Sequence, residues 1–214
     1  MRQNCRWLIP GLAFLLAAPI GAQTTGMPSF NAPYRSFQRS ELGAVVSFPG
    51  PGGTAFEGAY RYARSRFDIG LRIGMWDPGA AKTRLMIGGE ARQRVITHST
   101  DFPLDGALVA GIGAHLVSGG SALFIPVGLS LGRRVDLGQS AGRAGESRGA
   151  SISIVPYVQP TAYFQANLVS GGGSDLNFTL GLGADVRLSR TFDVRFSAGI
   201  GDLDGVSLAA VWVH

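Results

Sequence analysis

From Thr179 to Ile200 the chain reads TLGLGADVRLSRTFDVRFSAGI, and its apolar and polar positions alternate almost without a slip. Leu180, Leu182, Ala184, Val186 and Leu188 share one parity, while Gly181, Gly183, Asp185 and Arg187 share the other. After Ser189-Arg190-Thr191 the alternation resumes, with Phe192, Val194, Phe196, Ala198 and Ile200 against Asp193, Arg195, Ser197 and Gly199. A period of two puts successive side chains on opposite faces of a strand, and a break between two such runs is a hairpin. The same pattern predicts ten strands, at roughly 40–48, 54–64, 67–77, 83–95, 104–117, 121–135, 150–164, 176–188, 192–201 and 206–214. The connections are turn-rich, among them PGPGG, DPGAAK, THSTDFP and GDLDG. No amphipathic helix interrupts the series. Pro126, Pro156 and Pro160 fall inside these segments, where each removes a ladder hydrogen bond. They mark either bulges or misdrawn sixth and seventh strands.

Alternation cannot say which face meets water, because exchanging inside for outside leaves it unchanged. Composition breaks the tie. Charged residues make up 15% of the chain, against about 25% in ordinary soluble domains, and Lys82 is the single lysine. A soluble barrel has to solvate its whole exterior, and this chain lacks the residues for it. The apolar parity is aliphatic in mid-strand and aromatic near strand ends, at Phe48, Phe56, Phe67, Phe164, Phe192 and Trp212. Aromatic girdles at two lipid–water interfaces give that distribution. Strands of about ten residues match the 9–11 needed to cross a bilayer at a tilt. The apolar face is therefore expected to meet lipid, so that Leu182→Arg impairs assembly while Ser197→Arg, on the polar parity, is milder.

The polar parity then lines a lumen. It mixes glycine with nearly balanced charges: Glu41, Glu57, Asp68, Glu90, Asp105, Asp185 and Asp193 against Arg61, Arg72, Arg84, Arg92, Arg94, Arg134, Arg187 and Arg195. Arginine forks bind carboxylates in a bidentate manner, and neighbouring strands bring the two signs together. Such a set reads as a charge network that fills the interior of a narrow barrel rather than as a selectivity ring of one sign.

The chain opens with MRQNCR, an apolar run WLIPGLAFLLAAPIGA and small residues, the layout of a secretory signal peptide cleaved after Ala22. Cys5, the single cysteine, leaves with it. Residues 23–39 carry no period and read as a mobile N-terminal arm, and residues 40–214 form one barrel domain. The formal net charge of +5 includes Arg2 and Arg6 of the leader, and no long basic run suggests nucleic acid.

The final strand, GVSLAAVWVH, sets Val206, Leu208, Ala210 and Trp212 on one parity and ends at His214. It resembles the carboxy-terminal strand of small bacterial outer-membrane β-barrel proteins. The resemblance implies residence in the cell outer membrane, contact with its lipid, and recognition of the strand Val206–His214 by the barrel-assembly machinery during insertion.

Motifs with catalytic overtones are weaker. GLSLG around Ser130 matches the nucleophile-elbow string, but the strand-to-helix turn that the motif requires does not follow. THSTD puts His98, Ser99 and Asp101 in one polar connection, which reads better as a solvated turn than as a hydrolase site. His115 shares the luminal parity, and no His/Cys cluster offers it partners for a metal. The sequence thus predicts an all-β, antiparallel, up-and-down transmembrane β-barrel of about ten strands, with eight or twelve as alternatives. Its expected role is structural or interactive, its lumen largely plugged, with no cofactor, no metal and no catalysis. A small passive pore, a soluble lipocalin-like ligand binder and a lipid-modifying barrel enzyme are the competing readings.

Overall fold

The computed structural model describes residues 24–33, 37–137, 152–169 and 171–214. The leader (1–22), Gln23 and the connection 138–151 lie outside the described residues. Every regular element described is a strand: β1 (Glu41–Pro49), β2 (Thr54–Arg64), β3 (Phe67–Asp77), β4 (Arg84–Ile96), β5 (Asp105–Leu116), β6 (Ala122–Gly132), β7 (Val135–Leu137), β8 (Ile152–Asn167), β9 (Ser174–Arg187), β10 (Phe192–Gly201) and β11 (Gly205–Val213). Each pairs antiparallel with its neighbours, β11 returns to β1, and β6 joins β8. The three residues of β7 continue β6 along the edge of β8. The result is a closed, antiparallel, ten-strand barrel. Closure leaves no strand edge unpaired around the wall.

The strands run through the three prolines, and each proline sits at a gap in a ladder. Between β5 and β6 the pairing steps from Ala110–Val127 to Gly113–Phe124, passing over Pro126. Between β6 and β8 it steps from Gly128–Thr161 to Leu131–Val158, passing over Pro160. Pro156 lies opposite the break where β6 gives way to β7. A missing N–H is tolerated where the ladder has no bond to lose.

The two parities separate cleanly between the faces. Outward side chains include Phe56, Leu71, Leu176 and Phe178, each more than 60% exposed. Inward ones include Asp68 and Asp193 at 0% and Arg92 at 1%. At one end of the barrel, register carries a row of bulky side chains, three of them aromatic, across adjacent strands, from Phe192 to Trp212 to Leu42 to Tyr60. His214 stacks on Tyr60 with ring centroids 6.1 Å apart, and its backbone N–H donates to the Ser40 carbonyl. Val206, Leu208 and Trp212 of β11 all point outward beside this seam between first and last strands.

Charge placed on the outer face should therefore cost energy according to depth. Leu182 lies in mid-strand between Val158 and Ala198, and Leu188 lies on the same parity just past the end of β9. Leu182→Arg is expected to cost about 2–4 kcal/mol and Leu188→Arg about 0–1 kcal/mol. Refolding titrations into lipid vesicles measure both. Equal costs at the two positions would contradict a lipid-facing exterior.

An even number of wall strands puts the entry into β1 and the end of β11 at the same end of the barrel. The long connection after β7 is also at that end, whereas the opposite end carries the short turns after β1, β3, β5, β8 and β10. Residues 24–33, expected as part of a mobile arm, lie instead inside the barrel. Every one of them is buried.

Candidate functional site

The lumen is organised around three arginines whose partners come from neighbouring strands. Arg61 on β2 donates to Asp68 Oδ1 on β3 at 2.7 Å and also pairs with Glu90 on β4. Its reach across β3 has a local cause. Register aligns Arg61, Gly70 and Glu90 in one row, and a Cβ on Gly70 would stand 3.1 Å from the Glu90 side chain. The bare glycine lets the guanidinium lie over the wall. Arg92 Nε donates to the same Asp68 oxygen at 3.1 Å, so one fully buried carboxylate holds two buried arginines.

Arg195 on β10 is the second centre. It donates to Glu41 Oε1 at 2.6 Å and to Asn31 Oδ1 at 3.1 Å, and its Nε lies 3.0 Å from Asp185 Oδ2. Glu41 also stands 3.8 Å from Arg61, which links the two centres across the closing seam. Arg187 and Asp193, directly opposite in register, pair at 3.0 Å. Arg72, the third centre, stands 3.5 Å from Glu57 and donates to Ser29 Oγ at 2.9 Å. Ten of the charges that the alternation assigns to the lumen thus take part in these ion pairs within the barrel. Glu41 and Asp105 belong with them, Asp105 pairing with Arg94 at 2.6 Å. Both acids share the expected luminal parity, and register supplies their partners Arg195 and Arg94.

Residues 24–33 occupy the remaining space and take their bonds from the wall. Ser197 and Ser207 both donate to the Pro28 carbonyl, at 2.9 and 3.0 Å, and the Phe30 N–H donates to Ser197 Oγ at 3.1 Å. Ser130 donates to the Asn31 carbonyl at 2.8 Å. His115 Nε2 donates to the Thr25 carbonyl at 2.6 Å, since that oxygen can only accept. Ser197 is therefore an anchor rather than a tolerant position, and Ser197→Arg would displace the segment it holds.

The wall is shaped for this occupant. A Cβ at Gly88, Gly111 or Gly113 would run into Thr24, and one at Gly181 would run into the Phe30 ring. Phe30 instead packs with Ala32, Val155 and Tyr157. The void left beside Arg61, Arg72 and Arg195 amounts to about 20 Å3, room for roughly one water. Gly113→Leu should consequently expel the segment, because its side chain competes with the Thr24 backbone. Limited proteolysis in detergent, with cleavage within 24–33 rising well above the unaltered protein, is the expected readout.

The catalytic candidates are placed differently from a hydrolase site. Ser130 is fully buried in mid-strand with its hydroxyl committed to Asn31. His98 Nδ1 lies 3.0 Å from Asp105 Oδ2, not beside Asp101, and Ser99 Oγ accepts from the Phe102 N–H at 3.1 Å. Among the described residues no group of three or more His, Cys, Asp or Glu is placed to hold a metal ion.

No protein-family model and no curated protein matches the chain. Similar solved structures include one from the de novo design of transmembrane β-barrels, with 14% identity and a TM-score of 0.39 over 86% of this chain and 97% of that one. Another is a bacterial polysaccharide outer membrane secretin, with 13% identity and a TM-score of 0.40 over 87% of this chain and 67% of that one.

Proposed function

We propose that this protein is a bacterial outer-membrane β-barrel with a structural or interaction role, its lumen closed by its own first residues and by paired charges. The observation that carries the reading is the inverted distribution of side chains: bulky aliphatic and aromatic groups outside, carboxylates and guanidinium groups inside. Water cannot favour such an exterior, whereas lipid does. A charged and filled interior speaks against an apolar ligand within and against a passive pore. In this reading residues 1–22 are removed on export, the end carrying the termini faces the periplasm, and the assembly machinery reads Val206, Leu208, Ala210, Trp212 and His214. The outward side chains of β11 beside its seam with β1 are the surface available for that contact.

Fractionation followed by a detergent gel of boiled and unboiled samples tests the proposal. A membrane-bound protein whose unboiled form migrates differently from the boiled one is the expected result. Recovery in the soluble fraction would overturn it and favour the soluble barrel. Mass spectrometry of the membrane form should find a chain beginning at Gln23.

A further inference from the structure

The barrel end opposite the termini holds a cup of about 260 Å3. Its floor is Gly26 and Met27 of the internal segment. Four aromatic rings follow one another along its lower wall. Trp76 and His115 have centroids 5.5 Å apart, His115 and Phe124 4.7 Å, and Phe124 and Tyr163 6.5 Å. Trp76 is fixed by its indole N–H, which donates to the Gly52 carbonyl at 3.2 Å.

The upper wall is polar and of mixed sign. Arg84 stands over the Trp76 ring at 4.8 Å from its centroid, Asp202 and Asp204 come from the turn after β10, and Gln165 and Asn167 from the end of β8. Asp202 Oδ2 accepts from the Phe178 N–H at 2.7 Å, which holds that turn against β9.

These groups restrict what the cup can take. A cationic ligand is drawn by the carboxylates, but Arg84 repels it and already covers the Trp76 face that would hold it. Asp202 is also already bonded to the Phe178 N–H. An anionic ligand meets two carboxylates. A neutral polyhydroxyl compound meets no like charge, because each hydroxyl both donates and accepts and the two amides do the same. Its C–H surface lies on ring edges and Met27. The volume falls just under the about 300–1,000 Å3 of sites for drug-sized ligands, which suits one or two sugar rings. We propose that this cup is a binding site for a neutral saccharide, held by the carboxylates and amides of the rim against the row of aromatic rings.

Trp76 supplies the assay. Within residues 23–214 the tryptophans are Trp76 and Trp212, so Trp212→Phe leaves Trp76 as the reporter. Emission from the refolded variant in nanodiscs would be titrated with glucose, with an alkyl glucoside held in the bilayer, with choline and with inorganic phosphate. A saturable response to a glucoside is expected, weakened about tenfold or more when Gln165 and Asn167 are both changed to Ala. Response to glucose alone assigns a soluble sugar, and response to the alkyl glucoside alone assigns a glycolipid head group. Saturation by choline or phosphate without a glucoside response would overturn the proposal. So would no saturation by any probe, or a glucoside response indifferent to the double change.

Discussion

Deleting residues 24–33, with the leader and its junction retained, should turn a barrel with rare or no openings into one with a steady conductance in planar bilayers. Eight strands give an interior that side chains fill, and ten give slightly more. Here the surplus is enlarged by the luminal glycines at 88, 111, 113 and 181, which contribute no side chain and are covered by Thr24 and Phe30. Removing the segment uncovers that wall from one end to the other. It also strips Arg72 of Ser29 and Arg195 of Asn31, leaving donors aimed into water. The opening should stay well below porin size, since 16–18 strands make an aqueous channel of that kind. Gly113→Leu offers a second route to the same state if the deletion fails to assemble. A silent barrel after both changes would mean that the charge network alone closes the lumen.

Asp68→Leu should destabilise the barrel by about 3–5 kcal/mol, read as a lower temperature for loss of the compact, unboiled gel form. Asp68 is 0% exposed and serves both Arg61 and Arg92 through one oxygen. Its removal leaves Arg92, 1% exposed, without the carboxylate it contacts. The cost comes from a buried charge deprived of its counter-ion, not from the pair's own net worth. Asp136→Leu is the comparison. Its partner Arg134 is 2.7 Å away, but the side chains are 31% and 40% exposed, and such pairs contribute about 0–1 kcal/mol. Equal stability of the two variants would show that water reaches the lumen around Asp68.

Much of this architecture could be read from alternation because a closed wall makes period two its sole rule. Strand positions, the separation of Leu182 from Asp185, and the pairing of Arg187 with Asp193 all follow from parity and the nearest turn. Other features depend on what parity omits. Residues 24–33 have no period, and a segment held by serine hydroxyls and backbone carbonyls leaves no pattern of its own. The trace it leaves is on the wall, where glycines 88, 111, 113 and 181 leave room for Thr24 and Phe30. Ser197 looked like a neutral luminal position for the same reason: its partner Pro28 lies far away in sequence. Parity alone leaves the prolines undecided, because a strand keeps its course where one ladder skips a bond, and the skip depends on the neighbour's register. His98 found Asp105 rather than the adjacent Asp101 because the strand β5 begins under the loop.

The bonds that seat the internal segment also set an order of events. Pro28 and Phe30 are held by Ser197 and Ser207, 167 to 179 residues further along the chain. These are among the most distant contacts that a chain of this length can make, and distant contacts form late. A polypeptide emerging amino-terminus first therefore carries this segment unseated until its last two strands exist. The tether at residues 37–40 leads straight into β1, the strand that must still meet β11. Seating thus waits for the same two strands whose arrival lets β1 close the wall.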